Sequence, residues 1–167
     1  KEVMVEIRDH IIQALYVPDK LYRERTVFIY GAKDTRYEKV QEELLEQFQS
    51  LKIYNINITS STEITGGVEI DKYIASEISK ADVFIPLVNK NTVNKEGCLN
   101  RLIGLAKRNQ TRILPIQIGH CDIKSCGIRG KVDYFPNMDS PITTTSQDLE
   151  KEAYDLVQKI KGVIFEW

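Results

Sequence analysis

The residues of this chain that could do chemistry sit just after its apolar runs. Tyr30-Gly31 and Lys33-Asp34 follow Val27-Phe28-Ile29, and Ser60, Ser61, Thr62, Glu63, Ile64 and Thr65 lead into Gly66-Gly67. Glu96 stands two residues before Cys98, and Arg101 three after it. A Gly pair opening a helix can cradle phosphate with backbone N–H groups. The sequence holds no Walker Lys-Ser/Thr and no GxGxxG, so a tight loop-to-helix turn that only Gly accommodates is the plainer reading. Lys33 and Asp34 would line any nucleotide cleft, or serve as a solvated Lys and a helix-capping Asp. The two histidines, His10 and His120, lie near no Ser or Cys nucleophile in the pattern, so a triad is unsupported. Cys121 beside His120 lacks ligand spacing, so no metal site is expected. Three cysteines without a CxxC pair fit a reducing, cytoplasmic compartment.

Regular elements must hold these residues in place. Thr26–Gly31 and Ala81–Val88 are short apolar runs suited to strands buried on both faces of a parallel sheet. Lys52–Ile58 alternates through Ile53, Ile56 and Ile58 and predicts a second strand; Ile113–Ile118 predicts a fourth. Between them the spacing predicts helices. The first puts Val40, Leu44, Leu45, Phe48 and Leu51 on one face, and the next uses Ile70, Ile74 and Ile78. Cys98–Arg108 and Gln147–Phe165 follow, while Ser60–Gly67, Asn89–Gly97 and Gly119–Thr145 read as loops. Alternating strands and helices imply an α/β, flavodoxin-like three-layer sandwich, a central parallel sheet with helices on both faces. Ligands of such sheets bind outside the carboxyl ends of the strands, where the polar clusters fall. Residues 25–167 form this domain. Residues 1–24 precede it as an N-terminal helix and linker, with Val3, Ile7, Ile11, Ala14 and Leu15 at helical spacing and Pro18 as the stop. The leader is either a docking helix of the domain or the end of a linker from another domain.

The 167 residues suffice for one well-buried core. Hydrophobic content of 42%, charged content of 28% and a net charge of −1 argue against disorder and against a nucleic-acid binder held by bulk charge. No apolar run approaches the ~20 residues that span a bilayer. Beginning at Lys1, the sequence reads as a fragment of a longer protein.

In order and spacing, residues 25–165 resemble the Toll/interleukin-1 receptor (TIR) domain, in its bacterial-type form. VFIYGAKD looks like that family's opening strand, and STEITGGVEIDKYIASEISKADVFIPLVN like its BB loop, helix and third strand. GCLNRLIGLAKR and RILPIQIGHCDI resemble its Cys-led third helix and its Pro-containing fourth strand. The resemblance implies assembly with other TIR domains through a BB loop, here Thr59 to Gly67, and a fused or associated sensor domain. It also implies NAD as a substrate or ligand, since many such domains cleave the nicotinamide–ribose bond with a Glu three residues after the Cys. Here that slot holds Arg101 and the usual Trp position holds Gly97. A guanidinium opposes the positive charge of an oxocarbenium-like transition state and cannot act as a base. The expected function is therefore a TIR-type assembly module with weak or absent NAD hydrolysis. Glu96 is the nearest replacement carboxylate for an active NAD glycohydrolase; its plainer reading is a solvated charge at a helix N-terminus. A third reading is nucleotide sensing without cleavage, with Tyr30, Gly31, Lys33, Asp34 and Arg101 around the cleft.

Overall fold

The computed structural model describes residues 23–63, 69–94, 98–126, 128, 135–136 and 140–166. Among the described residues, five strands build one parallel sheet: β1 (Arg25–Tyr30), β2 (Ile56–Ser60), β3 (Val83–Val88), β4 (Arg112–Ile113) and β5 (Ile116–Gln117). Their order is β2-β1-β3-β4, with β5 continuing beside β3. The helices are α1 (Glu38–Gln49), α2 (Ile70–Lys80), α3 (Lys90–Asn94), α4 (Cys98–Arg108) and α5 (Leu149–Phe165). This is the flavodoxin-like winding, in which the order reverses between β1 and β3. Among the described residues no helix is long and apolar enough to cross a membrane.

Alternate residues of the central strands feed opposite faces of the sheet. Val27, Ile29, Val83, Ile85 and Leu87 pack against Leu44 and Phe48 of α1 and Leu156 and Ile160 of α5. Phe28, Phe84 and Val88 pack against Ile74 and Ile78 of α2 and Leu102 and Ile103 of α4. The Phe28 and Phe84 rings stack with centroids 6.1 Å apart. Each such side chain contributes about 1.5–3 kcal/mol on burial, so the two layers hold the sheet between them.

The break between β4 and β5 has a local cause. Phe84 pairs with Ile113 and Leu87 with Ile116, the same offset on both sides, so Pro86 lies opposite Pro115 without any bulge. Leu114 donates its N–H to Phe84 O, and in a parallel ladder the next bond would run from residue 86 back to Leu114. Pro86 has no N–H to give, and the ladder skips one bond. The fourth strand expected over Ile113–Ile118 is therefore one line of chain recorded as two short strands. Beyond it, Phe135 donates its N–H to Pro115 O and accepts from Gln117 N–H, which extends the sheet's outer edge.

Several expectations need correction. The alternating Lys52–Ile58 run does not form a strand throughout: Ser50–Tyr54 is a 3₁₀ turn, Asn55 adopts the left-handed conformation at φ 61°, and the strand starts at Ile56. Ile53 is consequently 82% exposed rather than packed. Ile70 is also exposed; the buried face of α2 begins at Ile74. The loop expected over Asn89–Gly97 contains the short helix α3, and Ser60 belongs to β2 rather than to a loop. Gly66, Gly67, Ile64, Thr65 and Glu96 lie outside the described residues, as does the leader through Tyr22.

Candidate functional site

The carboxyl ends of β1, β2 and β3 are tied together by side chains that the sequence places immediately after each strand. Ser61, just past β2, is 9% exposed, and its hydroxyl accepts from Gly31 N–H and donates to Gly31 O, both at 2.9 Å. One side chain thus satisfies both polar groups of the residue that follows β1. Ser60 is buried too and shares a 2.7 Å hydrogen bond with the Thr62 hydroxyl. Ser60 and Ser61, read from the sequence as loop residues, are buried and anchor the loop's base, and Thr62 beside them is exposed. From α1, the buried Gln41 donates from Nε2 to Ala32 O at 3.1 Å and closes over Gly31.

The loop after β1 is fixed by Asp34. Its Oδ1 accepts from Arg36 N–H and Nε at 3.1 Å each, and its Oδ2 accepts from Arg36 Nη2 at 2.9 Å. Asn91 of α3 adds a hydrogen bond to Oδ2 from the far side of the switch point. The Arg36 side chain foremost, then its backbone N–H and Asn91, hold the carboxyl down at about 2 against burial, which acts the other way. The same bond raises the Arg36 guanidinium. Asp34 therefore does not cap α1; it closes a turn and bridges two loops.

Asn89 positions its side of the site. It is fully buried, and its Oδ1 accepts from Asn91 N–H at 2.8 Å and Thr92 N–H at 3.2 Å, which caps α3. Thr92 Oγ1 returns by accepting from Asn89 N–H at 2.9 Å. The Asn89 Nδ2 has no hydrogen-bond partner among the described residues. Gly119, at the end of the fourth line of the sheet, leaves room for the Tyr37 ring: an added Cβ would lie 2.8 Å from Tyr37 Cε1 and 3.4 Å from Asn89 Cβ.

These ties frame a cleft of about 530 Å³ between α1 and the ends of β1 and β2. Lys33, Asp34, Glu38, Gln41, Glu42 and Thr62 contribute to its walls. Glu38 and Glu42 stand one turn apart on α1, so carboxylates outnumber the single ammonium of Lys33. The cleft brings together Lys33 and Asp34 but not Arg101, which sits on α4 in the opposite helix layer. Its guanidinium is 3.7 Å from the Asp71 carboxylate of α2, and both side chains are exposed, at 65% and 78%. Tyr30 is half-buried and packs on the α2–α4 side. Among the described residues, no group of three His, Cys, Asp or Glu side chains could hold a metal ion.

The sequence reading missed Gln41, Asn89, Asn91 and Thr92. The Asn89-x-x-Thr92 spacing is a helix-capping signal that could have identified α3; nothing in the sequence marks Gln41.

No family model and no curated protein matches this sequence. Among solved structures, a conserved protein from Enterococcus faecalis V583 is similar over 57% of this chain, at 12% identity and a TM-score of 0.48. The match spans 65% of that protein's length.

Proposed function

We propose that this chain is a TIR-type signalling and assembly domain that acts by contacts with other TIR domains in an immune or stress pathway, with NAD hydrolysis weak or absent. The observation that carries the reading is Arg101. In the slot where the resemblance calls for a carboxylate stands an exposed guanidinium engaged with Asp71. Such a cation disfavours an oxocarbenium-like transition state, and its pairing across α2 and α4 suits a surface contact. The buried Ser60 and Ser61 give the BB loop a rigid footing on β1, which a loop presented to a partner requires. A fused or associated sensor domain would supply the trigger.

A nucleotide-binding domain that does not cleave its ligand is the second reading, favoured by the 530 Å³ cleft. Among the described residues its acidic walls leave Lys33 as the one cationic group for a phosphate.

The test is nicotinamide release from NAD at high protein concentration, with Glu96→Ala alongside and self-association followed by light scattering. The expected result is concentration-dependent association without turnover. Turnover that disappears in Glu96→Ala would overturn the reading and make Glu96 the catalytic carboxylate. A thermal shift with NAD but no turnover and no association would favour the second reading.

A further inference from the structure

The cleft beside α1 has a charge pattern that selects its ligand. Its walls carry three carboxylates, Asp34, Glu38 and Glu42, against the ammonium of Lys33. Asp34 is already neutralised, because both its oxygens accept from the Arg36 guanidinium. Glu38 and Glu42 are exposed, and among the described residues no cation pairs with either. Glu38 lies in the first turn of α1, where the helix dipole favours a carboxylate. Glu42 stands a full turn further in, beyond the reach of that effect.

Gln41 shares the wall with them and is buried, at 5% exposed. Its Nε2 is spent on Ala32 O at 3.1 Å, which fixes the plane of the amide. Among the described residues its Oε1 then receives no hydrogen bond, and an acceptor on a buried residue is costly to leave unmet. Glu38, Gln41, Glu42 and Leu45 follow one another at the i, i+3, i+4 and i+7 positions of α1, so they form a single stripe along the cleft. That stripe presents two carboxylates, one amide carbonyl and one aliphatic side chain, and Thr62 faces it from the end of β2. Acceptors therefore dominate. An ammonium or guanidinium head has donors only, and its alkyl stem packs on apolar surface while the head stays among polar groups. A phosphate would instead bring further negative charge against Glu38 and Glu42.

We propose that this cleft binds an alkylammonium or alkylguanidinium group, with its charge between Glu38 and Glu42 and its stem on Leu45. Gln41 Oε1 supplies the third acceptor. The group is the Lys or Arg side chain of a partner protein, or a free amine of the same shape. The inference stands apart from the assembly reading, and it gives the cleft a ligand of opposite sign to a nucleotide.

Backbone amide chemical shifts of the 167-residue protein test this, titrated with butylguanidinium and with acetyl-Gly-Arg-Gly-amide. Both probes are expected to move Lys33, Gln41, Glu42 and Thr62, with a Kd of about 1 mM or tighter. Butylurea, the uncharged analogue, should move none of them. Glu38→Gln and Glu42→Gln should each weaken binding about tenfold, the loss of one charge-assisted hydrogen bond. Glu46→Gln lies one turn further along α1 and outside the cleft, so it should leave binding unchanged. All three glutamates are exposed or at the cleft wall, and their replacement leaves the core intact. Tighter binding of the tripeptide supports the proposal with a partner's side chain as the source, and tighter binding of butylguanidinium supports it with a free amine. No shift at about 10 mM of either probe would overturn it. So would butylurea binding as well as butylguanidinium, or an equal loss in Glu46→Gln, since the cleft would then not be reading charge. ADP moving the same amides more strongly than either cation would overturn it in favour of the nucleotide reading.

Discussion

Replacing Ser61 with Ala removes one oxygen and leaves two buried backbone groups without partners. The Ser61 hydroxyl both accepts from Gly31 N–H and donates to Gly31 O, each at 2.9 Å, at a residue that is itself buried. An unsatisfied buried donor or acceptor costs ~1–3 kcal/mol, so the pair amounts to about 2–4 kcal/mol, allowing for water entering beside a residue at the surface of the core. In urea, with a slope of about 2 kcal/mol per molar for a domain of this size, the midpoint should fall by about 1–2 M with the slope unchanged. Equilibrium unfolding followed by far-ultraviolet circular dichroism measures it. Ser50→Ala is the control: its exposed hydroxyl donates to Gln47 O on the surface, and its loss should shift the midpoint little. A Ser61→Ala midpoint indistinguishable from that control would refute the account of Gly31 as a residue satisfied by one side chain.

Two further substitutions probe the same end of the sheet. Gly119→Ala would push a methyl to 2.8 Å from the Tyr37 ring; the expected cost is about 1–3 kcal/mol, read as a Tm lower by about 3–10 °C. The Asp34 carboxyl titrates at about 2 in the fold against an ordinary 3.8. Its stabilisation is therefore present in full above about pH 4 and disappears as the pH falls to 2. Asp34→Asn should flatten the stability profile across that interval and leave its slope near neutral pH unchanged, as measured by urea midpoints at successive pH values.

The sheet was legible wherever burial was complete. Val27-Phe28-Ile29 and Val83 through Val88 read as strands because both faces are covered and every position is apolar. Where burial is one-sided the pattern deceived. Ile53 looked like part of the run through Ile56 and Ile58, yet it stands three residues before Ile56, out of step with a period of two; the left-handed Asn55 between them turns the chain, and the strand continues instead into the polar Thr59 and Ser60. The carboxyl-edge residues divided along the same physical line. Lys33 and Asp34 were legible because they follow a strand directly. Gln41 was not, because its role depends on α1 lying over Gly31, a contact across ten residues with no signature in sequence. Serines in a loop-like run look exposed on composition alone; Ser60 and Ser61 are buried because their hydroxyls have Thr62 and Gly31 to bond.

The strand order has a consequence for how the chain is made. β1 is bonded on one side by β2 and on the other by β3, both encoded later. As the polypeptide leaves the ribosome, Val27, Phe28 and Ile29 emerge with no sheet to join. Val27 must wait for Ile58, and then for Val83, before both its ladders close. During that interval the first cover within reach is α1, whose Leu44 and Phe48 can shield only the Val27–Ile29 side. Phe28 faces the layer built by α2 and α4 and stays uncovered longest. Nascent chains halted between Ser60 and Val83 should for that reason be the ones that chaperones hold, with the Phe28 side of β1 as their point of contact.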